Sequence, residues 1–308
     1  MAPFRCAARS SPSWKSAWTL RRRPHRHDVP GAESAAAGGA LTRRYLYRLG
    51  VERPPKPTID ALDLLHRRHV ELVAYENLDI QLGQPTTVHP VESAARIADG
   101  RGGYCFHLNG AFSALLFSLG YQVSIHRGQV RKSARPASGV EFPNHLALTA
   151  NVDGRDWLID VGLGDALHSP IPLAPNAFRQ GPFMFRLLHT SGGWRFEHDV
   201  NGSFTVMDWE SNDADVEEFA VAHKQLSTAS ESTFVRNLIV MRRCACHIDT
   251  LIGRTLTRRG DRIVLRRRLN TQADWSTTLR EVFHLSLLDI PSKALTALWH
   301  RTRAMGRD

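Results

Sequence analysis

The chain has 308 residues, 42% of them hydrophobic and 23% charged, a balance typical of a soluble globular protein large enough for two or three subdomains. Its net charge is +10, but residues 1–27 hold seven Arg or Lys and no Asp or Glu, which leaves only about +3 for the rest. A body so nearly neutral argues against a nucleic-acid face built into the fold, and no apolar run is long enough to cross a bilayer or form the core of a secretory signal.

Residues 1–40, with Arg21-Arg22-Arg23-Pro24 and an Ala/Gly run to Ala40, show no sustained hydrophobic period and are expected to be a disordered basic tail. This start is Arg-rich, Ser-rich and poor in acid. That composition fits a flexible extension and also resembles a transit peptide. The four cysteines, Cys6, Cys105, Cys244 and Cys246, are too few and too scattered for a disulfide framework. They suit a reducing compartment, and the expected location is cytoplasmic.

Residues 41–120 predict helices. Leu41 to Leu49 starts the series, and Pro54-Pro55-Lys56-Pro57 is a stiff break before Thr58, which can cap a stripe of Ile59, Leu62, Leu65, Leu72 and Val73. Pro90 suits the first turn of another helix running to Ala98. From Cys105 onward, Leu108, Phe112, Leu115, Leu116 and Leu119 recur at helical spacing until Gly120.

Residues 121–210 read as sheet. Strands are expected at Tyr121 to Val130, Leu146 to Val152 and Trp157 to Leu163, the last two joined by a hairpin at Asp153-Gly154. Further strand-like runs cover Phe183 to Leu188, Trp194 to His198 and Phe204 to Trp209. Residues 211–308 mix helix, at Asp215 to Lys224 and Trp275 to Phe283, with strand, at Arg236 to Arg242 and Arg262 to Leu265.

The most informative stretch is Arg101-Gly102-Gly103-Tyr104-Cys105, which sets a cysteine in the first turn of a helix. Unpaired backbone N–H groups and the positive end of the helix dipole favour a thiolate there and can hold a developing oxyanion. The plain alternative is a small core residue that happens to begin a helix. A cysteine nucleophile also needs a base and a group to orient it. With an even hairpin loop at Asp153-Gly154, His145 stands opposite Gly162 and diagonal to Asp160 on one face, within side-chain reach. Asp153 and Asp165 face away.

Other candidates are weaker. His126 has no acidic partner in view, and His66 and His69 lie on a helix among arginines; most of these histidines are expected to be solvated or satisfied by backbone groups. Cys244-Ala245-Cys246-His247 lacks the second ligand pair a zinc site needs, so no metal is expected. Gly162-Leu163-Gly164 is too short for a phosphate fingerprint but allows a ligand close to the backbone.

Arg101-Gly102-Gly103-Tyr104-Cys105, Pro143-Asn144-His145-Leu146 and Asp160-Val161-Gly162-Leu163-Gly164, together with Glu76-Asn77-Leu78, resemble the signature blocks of the arylamine N-acetyltransferases, in order and at similar separations. The resemblance extends from about residue 41 to 290. It implies an α+β fold with an N-terminal helical bundle, a central β-barrel and a C-terminal α/β lid. It also implies a catalytic triad of Cys105, His145 and Asp160.

The implied reaction is ping-pong. Cys105 takes acetyl from acetyl-CoA, the acyl-donor substrate, and passes it to an arylamine or hydrazine, with no permanently bound cofactor. Gly162, Leu163 and Gly164 are the expected contacts for these substrates. No nucleic-acid or membrane partner is expected. An amide synthase that closes a macrolactam from a carrier-bound acyl chain shares the fold and is the alternative. A cysteine protease does not fit, since no Cys-Gly-x-Cys-Trp block surrounds Cys105. A binder acting through the basic tail is a third class, which deletion of residues 1–40 would expose.

Four positions depart from the family pattern. His107 replaces Glu or Gln and is expected to add positive charge near Cys105. Ala74-Tyr75 replaces Pro-Phe, and Leu163 replaces an aromatic and is expected to shape the acceptor pocket. Glu76 is expected to pair with Arg101 and brace the Gly-Gly turn.

Overall fold

In the computed structural model the described residues are 32–133, 143–303 and 305. The N-terminal part is helical: α1 (Ala32–Arg48), α2 (Ile59–Leu72), α3 (Leu78–Gln81), α4 (Pro90–Ala98) and α5 (Cys105–Ser118), with the two-residue strand β1 (Tyr75–Glu76) between α2 and α3. The first helix starts at Ala32 and not at Leu41, because an alanine-rich stretch costs little to wind into a helix even without an apolar stripe. The remainder of the expected tail, residues 1–31, lies outside the described residues. Thr58 caps α2 by accepting the Ala61 N–H at 3.3 Å, and Pro90 opens α4.

Helix α5 is the centre of this part. Every residue from Cys105 to Ser113 is buried, so its first half is enclosed all round and presents no single apolar stripe. Tyr45 and Leu46 of α1, Leu62 and Leu65 of α2, and Ile97 of α4 pack with Leu108, Phe112 and Leu116, while Leu146 and Leu148 close the other side. An apolar helix surrounded by layers is rigid, and it fixes its N-terminal cysteine.

The middle part is one antiparallel sheet of eight strands. They are β2 (Gln122–Arg131), β3 (His145–Val152), β4 (Arg155–Leu158), β5 (Ile171–Pro172), β6 (Asn176–Gln180), β7 (Phe183–Thr190), β8 (Gly193–Glu197) and β9 (Val206–Asp213). The order β5-β4-β3-β2-β9-β8-β7-β6 curls into a half-barrel around Phe185, Leu187, Phe196 and Met207.

The β3–β4 hairpin turns on two residues, Asp153 (φ +51°) and Gly154 (φ +76°), as the sequence predicts. Thr149 pairs with Leu158, and the Ile159 N–H reaches Leu148 O at 3.1 Å. The strand then stops at Leu158, short of the expected Leu163. Asp160 to Gly164 leaves the sheet as a loop, so the expected pairing of His145 with Gly162 is not made.

The C-terminal part is a second antiparallel sheet, of order β1-β10-β11-β12-β13, built from β10 (Ile239–Arg243), β11 (Ile248–Ile252), β12 (Thr255–Arg259) and β13 (Ile263–Arg268). Short helices α6 (Ala220–Thr228) and α7 (Thr233–Arg236) lead into it, and α8 (Gln272–Glu281) and α9 (Ser292–Arg301) cover it over a core that includes Trp275, Leu279 and Trp299. Strand β1 ties this sheet to the helical part: Tyr75 pairs with Met241 of β10 and bridges to Gly103. Among the described residues no helix is long and apolar enough to cross a membrane.

Candidate active site

The turn before α5 is packed too tightly for side chains. A Cβ on Gly102 would collide with the Ala74 carbonyl oxygen, and one on Gly103 would come 2.5 Å from the His107 Cβ. Glu76 braces this turn, though not through Arg101. Its carboxylate accepts the Gly102 N–H at 3.2 Å and the Leu78 N–H at 2.5 Å. Burial pushes the Glu76 carboxyl above the usual range, against the pull of the nearby Arg101 guanidinium. Arg101 itself is ion-paired to Asp79 at 2.8 Å and Asp289 at 2.7 Å. The expected Glu76–Arg101 pair is therefore replaced by carboxylate-to-backbone bonds, because two other acids occupy the guanidinium.

Cys105 follows as the first residue of α5, only 5% exposed, with its Sγ 3.7 Å from Asn144 O. The first intrahelical acceptor, Tyr104 O, takes the N–H groups of His107 and Leu108. The Cys105 and Phe106 N–H groups come before the first bonded donor, His107, and lie at the positive end of the helix. His145 opens β3 and is 2% exposed, and its Nε2 lies 2.6 Å from Asp160 Oδ2. That leaves Nδ1 for the sulfur. Burial opposes a charged ring here, but the Asp160 carboxylate and the Cys105 sulfur outweigh it and hold His145 up at about 10.

Asp160 is fixed from several sides. Its Oδ1 accepts from Asn109 Nδ2 at 2.7 Å and from the Gly162 N–H at 2.9 Å. Asn109 also donates to Leu146 O at 2.6 Å and accepts the Val161 N–H at 2.9 Å, so one amide joins α5, β3 and the Asp160 loop. The sequence reading passed over this residue. Its signal was a polar side chain four positions after Cys105, on the same helix face, inside an otherwise apolar run.

Of the two expectations for the helix histidines, His66 meets the backbone one: it is fully buried, with Nε2 3.2 Å from Asp160 O and Nδ1 3.1 Å from His168 O, while His69, also buried, meets the Tyr45 hydroxyl at 2.8 Å. Burial pulls His66 down to about 4.

His107 does not add the expected positive charge. It is buried, its Nε2 lies 3.1 Å from the Thr86 hydroxyl, and its ring meets Tyr104 and His223 edge to face. Burial first, then His223 and Arg96, pulls it down to about 3, so it is uncharged at neutral pH.

A cavity of about 680 Å³ opens over Cys105 and His145. Its apolar wall includes Leu163, Phe204, Phe234 and Met241, and polar groups including Lys132, Glu231 and Ser232 also line it. Gly162 and Leu163 line it. Gly164 serves differently: at φ +70° it turns the loop against Tyr75 and Met241.

A buried thiol, imidazole and carboxylate thus stand in series beside an apolar cavity, an arrangement able to supply a nucleophile, a base and its orienter. A sequence profile of the N-acetyltransferase family matches residues 58–290. The chain belongs to the arylamine N-acetyltransferase family.

Among its family relatives is the arylamine N-acetyltransferase / N-hydroxyarylamine O-acetyltransferase of Salmonella typhimurium, 35% identical over 165 residues, which are 51% of this chain and 56% of that protein. Another is the proansamycin X synthase of Amycolatopsis mediterranei, 30% identical over 158 residues, covering 50% of this chain and 60% of that one. The chain thus spans little more than half the length of these two relatives. The structure of the Mycobacterium marinum arylamine N-acetyltransferase in complex with CoA superposes with a TM-score of 0.76 at 25% identity, covering 85% of this chain and 98% of that one. The helical, sheet and lid parts described above are those of an arylamine N-acetyltransferase fold.

Proposed function

We propose that this arylamine N-acetyltransferase family member moves an acetyl group from acetyl-CoA to the nitrogen of an arylamine or hydrazine through an acyl-Cys105 intermediate. The observation that carries the reading is the 2.6 Å contact between His145 and Asp160 behind Cys105 at the cavity.

The proton account follows from the site. His145 is held protonated up to about 10, and the form of Cys105 that reacts is the thiolate beside this imidazolium. The thiolate adds to the thioester carbonyl of acetyl-CoA, and the Cys105 and Phe106 N–H groups face the oxyanion. When the intermediate collapses, the C–S bond to CoA breaks and His145 gives its proton to the departing sulfur. One thioester has replaced another, so the step is nearly balanced in energy. An arylamine, uncharged at neutral pH, then attacks the acyl carbonyl. Neutral His145 takes the proton from its nitrogen, the bond to Cys105 breaks, and the thiolate–imidazolium pair is restored. Asp160 keeps the ring in the orientation that both transfers require.

The likeness to proansamycin X synthase supports a second reading, in which the acyl chain arrives on a carrier and the amine is its own. Intact-mass analysis after incubation with acetyl-CoA tests both. An acetyl adduct mapped to Cys105, discharged by an added arylamine, is the expected result. No adduct from free acetyl-CoA, with reaction only from a carrier-bound chain, selects the synthase reading.

A further inference from the structure

The turn between β10 and β11 carries Cys244, Ala245, Cys246 and His247, and the acyl-transfer chemistry uses none of them. Along the sequence this turn had no second ligand pair. The hairpin register supplies a ligand that spacing could not show, because it returns Asp249 opposite Arg242 beside the turn. The Cys244 sulfur, a His247 ring nitrogen and an Asp249 carboxylate oxygen lie within 4.8 Å of one another. We propose that these three side chains bind a zinc-class divalent metal ion, with the fourth tetrahedral position open to water.

The donor set points to the metal. A thiolate, an imidazole and a carboxylate together suit zinc and disfavour magnesium or calcium, which take oxygen ligands. The spacing points the same way. His247 Nε2 lies 3.4 Å from Asp249 Oδ2 and is a buried nitrogen with no hydrogen-bond partner. Zinc bonds of about 2.1 Å at a tetrahedral angle set a nitrogen and an oxygen about 3.4 Å apart, so an ion between them would give the His247 nitrogen the bond it lacks.

The ligands are also held in place. The Cys244 N–H donates to His247 O at 2.9 Å, which closes the turn and fixes two of the three ligands by backbone. Cys244 is a free, half-buried thiol, and Asp249 is 1% exposed. Arg242 at 2.9 Å and Arg258 at 2.6 Å and 3.0 Å hydrogen-bond the Asp249 carboxylate and set its direction, the outer support that metal-binding carboxylates receive. The same two guanidinium charges repel a dication. The affinity expected is therefore on the order of micromolar, well short of a structural zinc finger.

The site does not depend on the acyl-transfer reading, and its test is separable from it. Cobalt(II) is titrated into the full chain carrying Cys6→Ser, Cys105→Ser and Cys246→Ser, which leaves Cys244 as the one thiol in the sequence. The expected result is one bound cobalt with thiolate-to-metal charge-transfer absorption and the intense visible bands of a tetrahedral ion, both erased when zinc displaces it. Adding Cys244→Ser should abolish the charge-transfer absorption, and adding His247→Ala should weaken binding by about tenfold or more. Cys244→Ser alone, in a chain with Cys105 intact, should keep its thermal midpoint and its reaction with acetyl-CoA, which shows that the fold survives. Charge-transfer absorption that persists after Cys244→Ser, or no cobalt or zinc binding at concentrations on the order of millimolar, overturns the proposal.

Discussion

Gly162 lies against the backbone of Cys105: a Cβ at position 162 would stand 2.9 Å from the Cys105 Cα and 2.7 Å from Asn109 Nδ2. Neither neighbour can retreat, since one is helix backbone and the other is hydrogen-bonded to Asp160 and Leu146. The Asp160 loop can touch the nucleophile's helix only because residue 162 has no side chain.

Gly162→Ala should therefore push the loop off α5 and lengthen the His145–Asp160 contact. A displacement of this kind typically costs on the order of 10²-fold in rate. Single-turnover acylation of Cys105 by acetyl-CoA is the measurement, with far-UV circular dichroism as the fold control. A rate equal to the parent's would mean that the close approach has no bearing on the chemistry.

Asn109→Leu keeps the volume but removes the amide that joins α5, β3 and the Asp160 loop. It leaves Leu146 O and the Val161 N–H without a partner in a buried region, at a cost of about 1–3 kcal/mol each. Urea unfolding should show that loss, and acylation should slow as well because Asp160 loses a donor. Unchanged stability would contradict the hydrogen bonding described for this residue.

Leu163→Ala widens the cavity beside the acyl group without touching the triad. Removing these carbons should raise the KM for a small arylamine by about tenfold, the scale of a few methylenes in an apolar pocket. The acylation half-reaction with acetyl-CoA alone should stay within error of the parent. If acylation falls and KM does not, Leu163 serves the donor step and not the acceptor.

The buried histidines give the protein an acid-sensitive side. His107 is held at about 3 in the fold, below the ordinary value near 6.5, and so is neutral when folded. Between about pH 6.5 and 3 the unfolded chain binds a proton there that the folded one does not, and stability falls as pH falls through that window. At pH 5 the loss from this one group approaches about 2 kcal/mol. Urea unfolding at pH 7 and pH 5 should show a shallower decline for His107→Gln than for the parent. Equal declines would place the acid sensitivity elsewhere, with His66 the next group to replace.

The sequence by itself determined the local elements whose chemistry is short-range. Thr58 and Pro90 mark helix starts, Asp153-Gly154 marks a two-residue turn, and the Gly-Gly-Tyr-Cys block marks a cysteine at a helix tip, because caps and turns depend on a few neighbouring residues. The even hairpin loop even placed His145 and Asp160 within reach of each other.

Only the tertiary structure decided what depends on distant parts of the chain meeting. That Asn109 holds Asp160, that Glu76 braces backbone while Arg101 pairs elsewhere, and that His107 is neutral all depend on which groups share a low-dielectric interior. Burial and partner choice set protonation and hydrogen bonding there, and they arise from packing across dozens of residues that no local pattern records.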